Sequence, residues 1–254
     1  MQYGLIGCPL GHSVSPRLHE MLADYDYRLY EIRETELAPL LRGRDFRGLN
    51  VTIPYKTAVL PYCDVLSERV KRIGSANTLY LREGLLYAEN TDYFGFAELL
   101  RRAPFSVKGR KAAVLGTGGT ARTARAVLED AGAARIVTVS RKGPVDYAAL
   151  YREHGDTGIL VNTTPVGMWP DTESSPVRLE KLPSVQGVVD VVYRPMPTRL
   201  LRNAAARGIP TVGGLAMLVY QAAESAALFT GRAVPRETAE RALLTLQKEL
   251  EEMP

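Results

Sequence analysis

Hydrophobic positions along this chain follow two periods, and segments of the two kinds alternate over most of its length. Short apolar or β-branched runs predict strands in the first half at 2–6, 27–32, 48–53, 78–82 and 85–89. Apolar residues at helical spacing predict helices at 16–25, at about 36–42 and between Asp92 and Pro104. Strands that alternate with helices in this way indicate an α/β domain.

The same alternation continues through the second half of the chain. Strands are predicted at 111–115, 135–139, 158–163 and 187–193. A helix follows residues 116–121 and ends at Gly132, and two long helices are predicted at 215–229 and 236–252. We therefore predict a second, doubly wound α/β domain.

A glycine-rich turn joins the first strand of the second half to its helix. The residues of the turn are Gly116, Thr117, Gly118, Gly119 and Thr120. Small residues at G-x-G-x-x-A spacing permit a tight turn and a close approach of the backbone to a pyrophosphate, which the free N–H groups of the helix then face. An ordinary glycine-rich turn has the same composition, so the motif alone is weak. It predicts a Rossmann-type dinucleotide-binding domain.

Two cations follow the next predicted strand. An NAD site would place Asp or Glu about 20 residues past the first glycine, where the carboxylate holds the ribose 2′-hydroxyl. This chain has Ser140, Arg141 and Lys142 there. A guanidinium binds phosphate oxygens in a fork and an ammonium adds a point charge, so the sequence favours NADP over NAD. A solvated basic loop is the ordinary alternative.

Composition narrows the class of protein. The chain has 254 residues, 46% of them hydrophobic, so it can bury a substantial core and divide into two domains. No apolar stretch reaches the ~20 residues of a membrane span and the N-terminus lacks a signal-peptide pattern, so we expect a cytoplasmic protein with no membrane partner. The formal charge of +4 comes from scattered cations, which argues against a nucleic-acid-binding face and suits anionic small molecules.

Metal ligands are not expected from the cysteines and histidines. Cys8 and Cys63 form no C-x-x-C pair and suit reduced, small hydrophobic positions. The histidines lack the spacing of a metal site. A homodimer is a hypothesis that the sequence does not decide.

Polar residues cluster at the ends of two predicted strands of the first half. Ser13 and Ser15 precede a helix, and on an extended segment both hydroxyls would point the same way and could bind a carboxylate. Helix capping is the ordinary role for Ser15. Asn50 and Thr52 lie on one face of their predicted strand, with Lys56 just past its end.

Two further polar segments, 74–78 and 89–92, flank the predicted hairpin. They contain Asn77 and Asp92. Asp92 begins a predicted helix, where N-capping would be its ordinary role.

Taken in order, these segments resemble the shikimate dehydrogenase family, and the resemblance runs over nearly the whole chain. The family's signature loop is similar to 7–19, its lysine motif to 50–56, its Asn-Thr motif to 76–78 and its Asn-Thr-Asp motif to 90–92. In the second half, residues 162–168, 190–198 and 213–221 are similar to family segments in the family's order. The resemblance implies reversible, NADPH-dependent reduction of 3-dehydroshikimate to shikimate, a step of aromatic amino acid biosynthesis.

The resemblance also implies a role for each matching residue. Ser13 and Ser15 would hold the substrate carboxylate, and Lys56 and Asp92 would form the catalytic pair. The residues implied to hold the substrate hydroxyls and ring are Asn50, Thr52, Asn77, Asp92, Tyr193 and Gln221. The residues implied to contact the cofactor, besides the glycine turn and Ser140, Arg141 and Lys142, are Val191, Gly214, Met217 and Glu68.

The implied organisation is a substrate-binding and catalytic domain over 1–103, an NADP-binding domain over 104–214, and helices in 215–254 that pack on the first domain. The sequence leaves open whether Lys56 exchanges the proton itself or acts as an electrostatic clamp beside Asp92. Three other functions stay open as alternatives. They are a quinate/shikimate dehydrogenase of broader specificity, a methyltransferase on a Rossmann-like fold and a non-catalytic ligand sensor.

Overall fold

The computed structural model describes residues 2–11 and 13–252. Contacts divide the chain into two compact units. The first unit comprises Met1–Gly95 and Val219–Leu246, and the second comprises Phe96–Leu218 and Gln247–Pro254. These units are defined by contacts alone, so the domain boundaries predicted at residues 103 and 214 stay a prediction.

Among the described residues, the first unit holds a six-stranded mixed sheet. Its strands are β1 (Tyr3–Gly7), β2 (Tyr27–Glu31), β3 (Gly48–Val51), β4 (Val65–Leu66), β5 (Thr78–Arg82) and β6 (Leu85–Glu89). They lie in the order β2-β1-β3-β5-β6-β4. Strand β1 is parallel to β2 and β3, β4 is parallel to β6, and β5 is antiparallel to β3 and β6. The carboxyl ends of β1 and β3 therefore lie at the same edge of the sheet.

The second unit is built on five parallel strands within the described ranges. They are β7 (Lys111–Leu115), β8 (Arg135–Val139), β9 (Ile159–Asn162), β10 (Gly187–Asp190) and β11 (Thr211–Gly213). Their order is β11-β10-β9-β7-β8, so the direction of the chain across the sheet reverses at β7. Open α/β sheets bind ligands outside the carboxyl ends of the strands at such a reversal. The predicted doubly wound fold is confirmed.

Helices connect the strands of both units. They are α1 (Ser15–Leu22), α2 (Glu34–Gly43), α3 (Glu68–Ile73), α4 (Asp92–Arg102), α5 (Gly119–Asp130), α6 (Tyr147–Glu153), α7 (Arg199–Ala205), α8 (Leu215–Thr230) and α9 (Arg236–Glu251). Within the described ranges, every helix falls short of the length or the apolar character that crossing a bilayer requires.

The predicted elements and the observed ones differ mainly at their ends. Strands β5 to β8 have the predicted bounds, and Glu83 and Gly84, with φ of 53° and 78°, form the left-handed two-residue turn between β5 and β6. Strand β3 ends at Val51 and β10 at Asp190, so Thr52 and Tyr193 lie in loops. The elements that the hydrophobic pattern missed are short: β4, α3, α6, α7 and β11.

The ordinary alternative for Ser15, capping of α1, is not observed. Helix α1 begins at Ser15, and Val14 occupies the cap position without a side-chain hydrogen bond. Ser15 is already helical, so its hydroxyl cannot reach the backbone N–H groups as a cap does. The N–H of Ser15 instead donates to Oγ of Ser13 at 3.3 Å.

Helix α8 packs closely on the first sheet because β3 begins with a glycine. A Cβ placed on Gly48 would lie 2.3 Å from the ring of Phe229. Phe229 also stacks on Tyr3, with ring centroids 5.3 Å apart. This contact sets the distance between α8 and the strands that carry Asn50 and Thr78.

Candidate active site

Lys56 and Asp92 form a shielded ion pair in the first unit. Lys56 lies in the loop after β3, and Asp92 is the first residue of α4. Nζ of Lys56 lies 2.5 Å from Oδ2 of Asp92, and the two side chains are 16% and 9% exposed. Charge-assisted hydrogen bonds are stronger where water is largely excluded, so each group fixes the position of the other.

The loop that carries Lys56 is anchored by neighbouring backbone. Tyr55 is buried, and its hydroxyl donates to the carbonyl of Ile32 at 2.7 Å. The N–H of Tyr55 donates to the carbonyl of Thr52 at 2.9 Å, and the N–H of Ala76 donates to the carbonyl of Lys56 at 2.8 Å. The backbone of Lys56 is therefore tied to the segment that leads to Asn77.

Asn77 connects Asp92 to Gln221. Oδ1 of Asn77 accepts from the N–H of Thr91 at 2.6 Å. A backbone N–H can only donate, so this contact fixes which end of the amide is oxygen. Nδ2 then donates to Oδ1 of Asp92 at 3.0 Å and to Oε1 of Gln221 at 3.2 Å.

The carboxylate of Asp92 does not act as the helix cap that was its ordinary expected role. Its two oxygens accept from Asn77 and Lys56. The side chain that accepts from the N–H of Tyr93, in the first turn of α4, belongs to Asn90, at 3.2 Å. Asp92 is thus held by side chains and faces a lysine.

Asn50 is buried, 4% exposed, and both ends of its amide group have hydrogen-bond partners. Nδ2 lies 2.8 Å from Oγ of Ser225 and 3.1 Å from Oγ1 of Thr78. Oδ1 accepts from the hydroxyl of Tyr27 at 2.8 Å. The predicted contact of Asn50 with substrate stays a prediction. Ser225 was not predicted as a site residue, because its partners are distant in sequence.

Ser13 and Ser15 lie side by side at the start of α1. Oγ of Ser13 donates to Oγ of Ser15 at 3.0 Å, and both residues are half-buried. Val14 between them has φ −80° and ψ 0°, so the segment is not extended as expected, but the two hydroxyls still meet. Residue 12 of the same loop lies outside the described residues.

Thr52 and Glu68 lie elsewhere in the first unit. Thr52 is half-buried, and its methyl group would be 2.5 Å from a Cβ on Gly7, so the loops after β1 and β3 touch. Glu68 begins α3, is 89% exposed, and lies 2.6 Å from Nζ of Lys71. Within the described part of the first unit, Glu68 forms no hydrogen bond or ion pair with Lys56 or Asp92.

The glycine turn of the second unit joins β7 directly to α5. Gly116 has φ +113°, and a Cβ there would lie 2.8 Å from Oγ1 of Thr163. Gly118 occupies the cap position of α5 without a side-chain cap, and a Cβ there would meet no atom within 4 Å. The space beside Gly118 is therefore open, and the first N–H groups of a helix, which have no partner within the helix, are a common binding place for phosphate.

The basic loop lies beside this turn. The N–H of Gly116 donates to the carbonyl of Val139, at the end of β8, at 2.8 Å. Ser140 follows, and its N–H donates to the carbonyl of Val145 at 3.0 Å, which closes the loop. Arg141 and Lys142 project from it and are exposed. Their cations are accessible to a phosphate group.

Four further predicted cofactor or substrate contacts lie after the last two strands of the second unit. Val191 and Tyr193 follow β10, Gly214 follows β11, and Met217 lies in the first turn of α8. A Cβ on Gly214 would lie 2.0 Å from the carbonyl oxygen of Val191, so only glycine permits this approach. Met217 is buried near the start of α8. Burial raises the pKa of the Tyr193 phenol, so it stays protonated and can donate a hydrogen bond.

A buried carboxylate holds the loop that contains Val191. Oδ2 of Asp190 accepts from Oγ1 of Thr198 at 2.7 Å. Oδ1 accepts from Nδ2 of Asn162 at 3.0 Å and from the N–H of Val192 at 3.1 Å. Burial raises the pKa of Asp190 to about 6, although these three donors favour the charged form.

A glycine turn at the reversal of a parallel sheet, with basic residues after the next strand, is the arrangement of dinucleotide-dependent oxidoreductases. Comparison with known proteins supports this class. The family model of the shikimate dehydrogenase substrate binding domain matches residues 5–79, and that of the shikimate 5′-dehydrogenase C-terminal domain matches residues 214–244. A shikimate dehydrogenase (NADP(+)) of Clostridium perfringens is 37% identical over 94% of this chain and 95% of its own length.

Solved structures agree with the sequence comparison. Shikimate dehydrogenase 1 from Peptoclostridium difficile matches with a TM-score of 0.91 and 32% identity, over 98% of each chain. The shikimate 5-dehydrogenase of Thermus thermophilus, solved in complex with NADP(H) and shikimate, matches with a TM-score of 0.83 and 32% identity, over 96% of this chain and 99% of that one. This chain therefore belongs to the shikimate dehydrogenase family.

The raised pKa of Asp190 predicts an unusual pH dependence of stability. The folded protein binds this proton up to a pKa of about 6, whereas the usual value is 3.8. Protonated Asp190 therefore stabilises the folded protein fully below pH 3.8, and this contribution is lost as the pH rises through the folded pKa of about 6. Urea unfolding of wild type and Asp190→Asn measures it. The difference in unfolding free energy should move in favour of the variant by roughly 2 kcal/mol from about pH 4 to about pH 7. A difference that is constant with pH contradicts the raised pKa.

Proposed function

We propose that this protein catalyses the reversible, NADP-dependent interconversion of shikimate and 3-dehydroshikimate in aromatic amino acid biosynthesis. The observation that carries the proposal is the ion pair of Lys56 and Asp92, 2.5 Å apart and partly shielded, with Asn77 hydrogen-bonded to the same carboxylate. A shielded ammonium can polarise a carbonyl oxygen and give it a proton as negative charge develops. In the opposite direction the uncharged amine of Lys56 accepts the proton of a secondary hydroxyl.

Asp92 supports this role of Lys56 in one of two ways. It fixes the direction of the Lys56 amino group, or it receives the proton that Lys56 takes from the substrate hydroxyl. Asn77 donates to the oxygen of Asp92 that does not face Lys56, so the carboxylate cannot turn away without losing a hydrogen bond. Either way, Lys56 is the group that meets the reacting oxygen.

Ser13 and Ser15 are the proposed ligands of the substrate carboxylate. Two hydroxyls 3.0 Å apart can each donate one hydrogen bond to a carboxylate, once the hydrogen bond between them opens. Thr52, Asn77, Gln221, Asn50 and Tyr193 are proposed to hold the hydroxyls and ring. These side chains offer donors and acceptors without adding charge, as a polyhydroxylated ring requires.

NADP fits the second unit. Its pyrophosphate would be held at the start of α5 by the turn from Gly116 to Thr120, and its 2′-phosphate by Ser140, Arg141 and Lys142. Val191, Gly214, Met217 and Glu68 are the further proposed contacts. When bound as NADPH, the cofactor supplies the hydride that reduces the carbonyl carbon. A cytoplasmic location and a homodimeric state are also proposals, which cell fractionation and light scattering would test.

The first test of this function removes the proposed proton carrier. Wild type should reduce NADP in the presence of shikimate, and Lys56→Ala should lower kcat by about 10²-fold or more, because general acid catalysis is lost. Lys248→Ala, which removes an exposed lysine of α9, is the matched control and should behave as wild type. A folded Lys56→Ala protein with near-normal turnover would falsify the assignment. Quinate in the same assay tests broader specificity.

The second test concerns the carboxylate pocket. Changing Ser13 and Ser15 together to alanine should weaken shikimate binding more than about tenfold, since hydrogen bonds to a charged group contribute roughly 1.5–3 kcal/mol each. Affinity for NADP should change little. Isothermal titration with each ligand makes the comparison. Since Ser15 does not cap α1, the melting temperature should stay close to that of wild type. Normal shikimate binding with a lowered melting temperature would assign both serines a structural role.

The third test concerns the choice of cofactor. Replacing Arg141 and Lys142 with alanine should reduce the preference for NADP over NAD at least about tenfold, because NAD lacks the phosphate that these cations contact. The ratio of kcat/KM for the two cofactors is the measurement. The double change Arg178→Ala with Lys181→Ala removes two other exposed cations of the second unit and serves as control. A ratio that does not change shows that this loop does not bind the 2′-phosphate.

A further inference from the structure

Three buried hydroxyls in the first unit lie within hydrogen-bond distance of one another. The distances between the oxygens of Thr78, Thr91 and Ser225 are 2.9 Å for each of the three pairs. All three residues are 0% exposed. They come from β5, from the turn before α4 and from α8, so the cluster joins three separate elements. The proposed function assigns none of them a role.

The direction of the hydrogen bonds around Ser225 follows from fixed donors and acceptors. Nδ2 of Asn50 lies 3.2 Å from the carbonyl oxygen of Asn77, which can only accept. The amide nitrogen of Asn50 therefore faces the cluster and donates to Ser225 at 2.8 Å. The hydroxyl of Ser225 keeps one hydrogen, for Thr78, Thr91 or the carbonyl of Gln221, which lies at 3.0 Å.

The cluster reaches the proposed catalytic pair in two further steps. Oγ1 of Thr91 lies 2.9 Å from Nδ2 of Asn77, and the N–H of Thr91 donates to Oδ1 of the same amide at 2.6 Å. Asn77 in turn donates to Asp92. Helix α8 therefore acts on Asn77 at two points one turn apart, directly through Gln221 and through Thr91 by way of Ser225.

We propose that Ser225 is a positioning residue for Asp92, an inference that rests on the proposed function. Without its hydroxyl, Asn50 loses an acceptor and Thr91 loses a partner, both in a buried place where water cannot replace them. Unsatisfied buried polar groups are costly, so the side chains rearrange to recover hydrogen bonds. Such a rearrangement moves Thr91, whose hydroxyl and N–H both contact the amide of Asn77, and so alters the orientation of the Asp92 carboxylate towards Lys56.

The experiment is a double-mutant cycle on kcat for shikimate oxidation. Ser225→Ala should lower kcat about tenfold, while the KM for NADP changes less than about twofold. In an Asp92→Asn background, the same change at Ser225 should have no further effect, because its target is gone. A loss of equal size in both backgrounds would show that Ser225 acts independently of Asp92 and would overturn the proposal. Normal kcat in Ser225→Ala would overturn it as well.

A matched control separates positioning from the stability of α8. Thr230 lies on the same helix, and its hydroxyl donates to the carbonyl of Ala226 at 2.8 Å. Thr230→Ala should leave kcat unchanged. Ser225→Cys keeps a polar atom at the position of the hydroxyl but replaces it with a larger, weakly hydrogen-bonding thiol, so its kcat should lie between those of wild type and Ser225→Ala. If Ser225→Ala does not fold, the same cycle with Ser225→Cys decides the question.

A second readout does not depend on activity. In a crystal structure of Ser225→Ala or Ser225→Cys, Nδ2 of Asn77 and Oδ1 of Asp92, 3.0 Å apart here, should lie beyond hydrogen-bond distance. An unchanged contact would overturn the inference. If wild type fails to oxidise shikimate with NADP, the proposed function fails, and this structural readout then decides the positioning role alone.

Discussion

The amide group of Asn77 can make all its hydrogen bonds in one orientation only, and the position of the Asp92 carboxylate in the first unit depends on that orientation. Two backbone N–H groups at the start of α4, those of Thr91 and Asp92, face its oxygen at 2.6 and 3.4 Å. Its nitrogen must then serve the carboxylate of Asp92 and the amide oxygen of Gln221. The side chain of Asn77, just before β5, is thereby hydrogen-bonded both to the start of α4 and to α8. Lys56, in the loop after β3, then meets a carboxylate whose direction is already set.

The second unit depends on a different constraint, which is the topology of its sheet. All its strands are parallel, so their loops gather at one edge, and the reversal at β7 leaves the glycine turn at the place where two sets of loops diverge. Asp190 binds the loops after β9 and β10 through Asn162 and the N–H of Val192. In the first unit an ion pair fixes the positions of Lys56 and Asp92, whereas in the second unit close backbone approaches at Gly116 and Gly214 shape the loops.

The sequence predicted the features that depend on turn residues close together in the chain or on a hydrophobic period sustained over a whole element. The hairpin of β5 and β6 was predictable because Glu83-Gly84 suits a left-handed turn, and the fold class and family were predicted and are confirmed. The short elements β4 and α3 were missed because two and six residues give no hydrophobic period. The hydroxyl cluster was beyond reach, since Thr78 and Ser225 are 147 positions apart and only folding brings them together. The roles assigned to individual site residues stay predictions.

The close approach of Phe229 to Gly48 links an apolar contact on β3 to the polar side chains of α8. Any side chain at position 48 would meet the Phe229 ring at 2.3 Å, and a packed ring at that place has little freedom to give way. The helix that bears the ring also carries Gln221 and Ser225. A substitution at this glycine would therefore displace α8, and a change in an apolar contact would disturb the hydrogen bonds that Gln221 and Ser225 make.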